Sequence, residues 1–280
     1  MMYTFPNKLR NLALVFMAIG FVGLVYGFIS APKTIEEAKA IIAANHEEGH
    51  GTTHNNSGVY HINDVNDQNS HNNTNNNKSE HKLNDHDKSH DAEHDEHVFH
   101  QLSNKPWAAL YVAAFFFFMI SLGVLAFYAI QRAAQAGWSP VLYRVMESIT
   151  GYLLPGGIIV IVILALSGMH LNHLFIWMDP EVVAHDKLIA GKTGYLNIPF
   201  FLIRALFFLS GWSLYRYFSR KFSLAQDLEE GISNHKKNFR ISAAFLVFFI
   251  VTESIMSWDW IMSIDPHWFS TLFGWYVFSS

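Results

Sequence analysis

Five apolar stretches, at residues 11–30, 107–130, 150–169, 198–218 and 241–262, are each long enough to cross a hydrocarbon core of about 30 Å. Lipid offers no water to the backbone, so every N–H and C=O in such a run must be satisfied internally, and a helix does this within one segment. A sixth run opens at Asp265-Pro266, which reads as an N-cap followed by proline at the first helical position. It has run fourteen residues when the sequence reaches Ser280, about 21 Å at 1.5 Å per residue. The fold class expected is an all-α integral membrane protein. It would be a polytopic helix bundle with five full spans and the start of a sixth, the N-terminal portion of a longer chain. Charged residues make up only 15% of the sequence, against about a quarter in soluble domains.

Residues 45–104 depart from that pattern. They hold nine apolar residues in sixty and thirteen asparagines, a composition that reads as a solvated, largely disordered insertion. Three segments follow. Residues 1–44 carry a transmembrane anchor and a short external helix, opened by the capping box Thr34-Ile-Glu-Glu37. Residues 45–104 are the insertion, and 105–280 form the helix bundle. The first span has a basic head like that of a signal peptide, but its apolar run is twenty residues with no A-x-A cleavage site, so a retained anchor is expected.

Lysine and arginine placement gives the orientation. Ten of them flank the spans on one side, six lying between residues 216 and 240, against five near span ends on the other. The N-terminus is therefore expected in the cytoplasm of a bacterial inner membrane, with the insertion and the 170–197 loop outside, in the periplasm. A sequence isoelectric point near 6.4 without a basic run argues against nucleic acid as partner. The absence of cysteine excludes cysteine-held iron–sulfur clusters and zinc sites within this chain.

Eleven of the sixteen histidines lie between His46 and His100. Imidazole is the commonest ligand for zinc and copper, but the spacing defines no single site, and no metal ligands are assigned. Ionisable residues inside spans are costly and functional by default. Glu253 lies past the midplane of the fifth span, and Asp259 is six residues further on. Arg204 lies about 9 Å inside the fourth span, at a depth that suits pairing with Asp259. Glu253 has no cation at its own depth, which suits a proton-carrying carboxyl. His170 and His173, three residues apart at the end of the third span, are expected on one helix face. The tryptophans 177, 212, 258, 260, 268 and 275 read mostly as an interfacial aromatic belt.

Two long aromatic-rich motifs, Tyr195-Leu-Asn-Ile-Pro-Phe-Phe-Leu-Ile-Arg204 and Ser257-Trp-Asp-Trp-Ile-Met-Ser-Ile-Asp-Pro-His-Trp-Phe-Ser-Thr-Leu-Phe-Gly-Trp-Tyr276, resemble the ActF subunits of bacterial alternative complex III. The resemblance covers about 107–280 and, more weakly, the first span. It implies a membrane subunit of a quinol:cytochrome c or quinol:oxidase electron-transfer complex, related to polysulfide-reductase anchors, with about ten spans in the whole protein. It further implies that this chain binds no cofactor itself and carries no complete catalytic site. Menaquinone oxidation would be served by haem c and iron–sulfur clusters in partner subunits, with a sister quinol-binding membrane subunit and in some cases a haem-copper oxidase alongside, all within lipid. Glu253, Asp259, Arg204, His170 and His173 would then line or stabilise a polar route for protons. Two rival readings stand beside it: a zinc transporter whose histidine-rich loop collects metal, and a purely structural membrane anchor.

Overall fold

The computed structural model describes residues 7–48 and 84–279, with side chains of 42–48 and 84–98 left aside. Everything described is helix, turn or coil, and five helical segments are long and apolar enough to cross a membrane. The protein is thus an all-α, multi-pass membrane protein. The chain divides into two compact units, with the division between Lys105 and Pro106.

In the first unit, α1 (Asn7–Ser30) is an apolar span, and α2 (Ile35–Glu48) follows after a short turn. The expected capping box is present in slightly shifted form. Thr34 Oγ1 accepts from the Glu37 N–H at 3.3 Å, while Glu37 Oε2 accepts from the Lys33 N–H at 2.8 Å rather than from that of Thr34.

α3 (Asn84–Ala133) crosses the boundary between the units, with Pro106 in its interior. The backbone of residues 84–104 is helical, in place of the coil that composition suggests. Once the apolar span has nucleated the helix, each further turn costs little. The histidine-rich stretch from 49 to 83 lies outside the described residues.

The second unit is an up-down-up-down bundle. After α3 the chain makes a 3₁₀ turn at Ser139–Leu142, then α4 (Tyr143–Ile149), a second 3₁₀ turn at Thr150–Tyr152 and α5 (Leu153–Gly168). The break has a local cause. Pro155 offers no N–H to the Gly151 carbonyl four residues back, and its ring crowds that carbonyl. Beyond α5 come two short helices, α6 (Pro180–His185) and α7 (Lys187–Ala190). They are two helices rather than one because Asp186 turns its carboxylate onto the N–H groups of Leu188 and Ile189 and starts a new helix. The long pair α8 (Ile198–Gln226) and α9 (Ser233–Trp260) completes the bundle, and α10 (Phe273–Ser279) packs against α9.

The sixth helix starts seven residues later than its sequence signal. Asp265 Oδ1 accepts from the His267 N–H, and the Asp265 carbonyl from the Trp268 N–H, so Asp265-Pro266 closes a turn rather than opening a helix.

Buried positions recur at 201, 205, 208, 212, 215, 219 and 223 on α8, and at 238, 242, 245, 249, 252, 256 and 260 on α9. This spacing is close to the 3.6-residue period of an α-helix, so each helix turns one face inward along its length. Trp212, midway along the seam on α8, and Trp260, at the end of α9, are both fully buried, with Phe118 of α3 between 5.7 and 6.1 Å away. Trp177 is buried as well. Three of the six tryptophans read as an interfacial belt are therefore core, because the aromatic stripe of this bundle runs through its middle.

Close approach of α5 to α8 depends on Gly157. A Cβ there would fall 2.4 Å from Leu209 Cδ1. Gly157→Leu is expected to lower stability by about 1–3 kcal/mol, read as a fall in thermal unfolding midpoint in detergent, whereas Gly123→Ala, inside α3 with open space around it, is expected to hold or slightly raise that midpoint.

Candidate functional site

Asn197 caps α8 by accepting from the Phe200 N–H at 3.0 Å, with Pro199 in the first turn. This fixes the helix start, and two turns later it places Arg204 on the inward seam. Its guanidinium meets Asp259 of α9 as a two-pronged pair, Nε to Oδ2 at 2.7 Å and Nη2 to Oδ1 at 3.0 Å. Nη1 donates to the Tyr195 carbonyl at 3.2 Å, and the guanidinium plane lies 4.0 Å over the Tyr195 ring and 4.3 Å over Phe200. Asp259 is fully buried. The depth match seen in the sequence is thus a bidentate ion pair, the strongest geometry this pairing can take. Partial burial, reinforced by the neighbouring Asp259 carboxylate, pushes the Tyr195 phenol well above its ordinary range, so it keeps its proton at all physiological pH.

Glu253 is different. Its side chain is 2% exposed, and neither carboxyl oxygen has a hydrogen-bond partner among the described residues. It borders a cavity of about 650 Å³ between α3, α9 and α10, otherwise lined by side chains such as Phe116, Met119, Phe127, Phe249 and Phe278. Glu253 is the only ionisable residue in that lining. Asp259 is six residues further along α9, about 9 Å along the axis, so the ion pair and the lone carboxyl form separate sites.

His170 and His173 do not share a helix face. α5 ends at Gly168, and His170 adopts a left-handed backbone with φ of 60°. The His170 N–H bonds to the Ser167 carbonyl at 3.0 Å and the Leu171 N–H to the Leu166 carbonyl at 3.1 Å. This is a Schellman helix end in which histidine occupies the place usual for glycine. His173 follows in coil, held by contacts of its own. Among the described residues no three His, Asp or Glu side chains come together as a metal site would require.

The largest polar cluster was not among the sequence candidates. At the opposite end of the bundle from Arg204, Glu147 of α4 is 7% exposed and Arg132 of α3 is 5% exposed. Tyr128 OH donates to Glu147 Oε1 at 3.1 Å and accepts from Arg132 Nε at 3.0 Å. Arg132 Nη2 donates to Ser223 Oγ at 3.1 Å, and its guanidinium lies 3.9 Å over the Tyr143 ring. Arg144 pairs with Glu147 at 2.8 Å and also with Asp227. Ser219 Oγ, 3.3 Å from Tyr128 OH, donates to Asn238 Oδ1 at 2.7 Å. The cluster ties α3, α4, α8 and α9 together. Phase was the available signal: Arg132 falls in step with Phe118, Leu122, Leu125 and Ala129 on the buried face of α3.

Two stability outcomes follow from these geometries. Arg204→Met or Asp259→Leu alone is expected to destabilise by about 3–5 kcal/mol, because each strands a buried charge, while the double variant recovers most of the loss. His170→Gly is expected to raise stability by up to about 1 kcal/mol and His170→Val to lower it, both measured by unfolding in detergent. Comparison with protein-family models and with curated proteins finds no match for this chain.

Proposed function

We propose that this chain is a non-haem membrane subunit of a respiratory quinol-oxidising assembly of the alternative complex III type, and that Glu253 carries protons within it. The observation that carries the reading is the Glu253 carboxyl, buried at the edge of an apolar cavity and without a hydrogen-bond partner among the described residues. A carboxyl stranded in lipid-depth protein costs several kcal/mol unless it is paired or protonated. A structural role would leave it paired, as Asp259 is, whereas a proton carrier needs the freedom to gain and lose a proton. The two sequence motifs quoted above supply the assembly. One of them holds Arg204 and the other holds Asp259, so the buried ion pair joins the two segments on which the resemblance rests.

In this reading electrons never enter the chain. Quinol oxidation and electron transfer belong to partner subunits with their clusters and haems. The chain contributes a rigid four-span bundle, a protonatable side chain next to a cavity, and an N-terminus on the cytoplasmic side of a bacterial inner membrane.

Gentle solubilisation and capture of this chain are expected to bring down c-type haem, an iron–sulfur subunit and quinol-oxidising activity. A colourless preparation without partners but with bound zinc would overturn the assignment in favour of metal transport. Within the captured complex, Glu253→Gln is expected to lower quinol turnover roughly tenfold or more with haem content unchanged. Full turnover in that variant would leave the chain a structural anchor.

A further inference from the structure

At the Arg204 end of the bundle, a second cavity of about 570 Å³ lies between the α7–α8 loop and the exit of α9. Its walls are apolar and aromatic, with Leu188, Leu196, Trp258, Met262, Trp268 and Phe269 among them. α8 has 29 residues, about 43 Å at 1.5 Å each, against about 30 Å of hydrocarbon. The start of α8 and the end of α9 therefore stand where hydrocarbon gives way to headgroups, and the half-exposed Trp258 and Trp268 are suited to that level.

Lys192 is the only formal charge in the cavity lining. Its ammonium donates to the Pro266 carbonyl at 2.5 Å and lies 5.7 Å from the Phe269 ring. Of its three donors one is thereby used, and among the described residues no carboxylate pairs with it. The acids around it have other partners: Asp259 pairs with Arg204, Asp186 with His267 at 2.5 Å, and the exposed Asp265 accepts from the His267 N–H at 3.1 Å. Slight desolvation acts against it, but the bonds from His267 and from the Leu188 and Ile189 N–H groups hold the Asp186 carboxyl below the ordinary range. It stays committed to those partners.

An uncompensated cation at the rim of an apolar cavity, at headgroup depth, selects an anion that carries an apolar tail. We infer that this cavity binds an anionic phospholipid, with its phosphate on Lys192 and the upper part of an acyl chain among Trp258, Met262 and Phe269. A volume of this size lies within the range of small-molecule sites. The inference is independent of the respiratory reading above.

The test uses the full chain in nanodiscs of phosphatidylcholine with graded phosphatidylglycerol, followed by delipidation and native mass spectrometry of retained lipid. The wild type is expected to keep one phosphatidylglycerol in preference to phosphatidylcholine by about fivefold, as one lysine near a lipid phosphate supplies. Lys192→Gln is expected to abolish the preference. Gly194→Leu keeps the charge but fills the cavity from a position with open space around its Cβ. It is expected to reduce retention of both lipids. Equal retention of the two lipids by the wild type, or a preference untouched by Lys192→Gln, would overturn the proposal. So would complete displacement by millimolar inorganic phosphate, which would make the site one for a free anion. A retained quinone indifferent to Lys192 would likewise overturn it.

Discussion

Apolar side chains gain little by leaving lipid tails for a protein interior, so helices in a bilayer are held by close packing and by hydrogen bonds across their seams. The seam between α8 and α9 is built on that constraint. Down its length run Arg204 with Asp259, Trp212 Nε1 with Thr252 Oγ1 at 3.0 Å, Tyr215 with Ser242 at 2.8 Å and Ser219 with Asn238 at 2.7 Å. The rungs are spaced by about one to three turns. Sliding one helix past the other by a turn would break all four and strand a buried charge at one of them. The pair is thereby fixed in register, and α3 and α5 pack onto a surface already set by it, α5 through the gap left at Gly157.

The same seam divides the bundle into zones. The Arg132 end is a network of charge and hydroxyl, the Arg204 end is a closed ion pair, and between them lies an aromatic block. Tyr215 and Phe245 stack at 3.9 Å, and Trp212 lies 6.5 Å from Phe249. From Ser242, where the polar network ends on α9, to Glu253 is eleven residues, about 16 Å along the axis, with Phe245 and Phe249 on the inward face between them. On the proposed reading a proton at Glu253 therefore arrives through the cavity bounded by α3 and α10 and not through the Tyr128 and Ser219 hydroxyls. The Arg132 cluster is a clamp on four helices, and its polarity stops where the aromatic block begins.

What was legible in the sequence was what length and one-dimensional depth encode. Five spans follow from apolar run length, and the Arg204–Asp259 contact follows from counting residues inward from the span ends, because an α-helix converts residue number into depth at a fixed rise. What was not legible depends on angle or on local competition. Arg132 and Glu147 look like ordinary flanking charges until their phase on the buried stripe is followed. His170 and His173 have helical spacing, yet α5 stops two residues short of His170, and no glycine marks the turn because histidine itself takes the left-handed position. Asp265-Pro266 has the composition of a helix start, but its carboxylate is claimed by the N–H two residues on. Aromatic residues near span ends have the look of a belt, and Trp260 shows that a two-residue step from Trp258, about half a turn, separates the core from the surface.

Asp259 and Glu253 are both buried on α9, and their surroundings differ. For Asp259 the fold brings a guanidinium from α8 in fork geometry, stacks it on Tyr195 and Phe200, and spends a further donor on a backbone carbonyl. Glu253 receives none of this, although Thr252 beside it and Ser257 one turn on find partners within the structure. Packing does not require an acid there, since its neighbours are phenylalanines and aliphatic side chains that a leucine would suit better. On the proposed reading, an ionisable group placed next to space rather than next to a cation has a task that needs the carboxyl in two protonation states. The ladder of the α8–α9 seam is what allows the bundle to tolerate it.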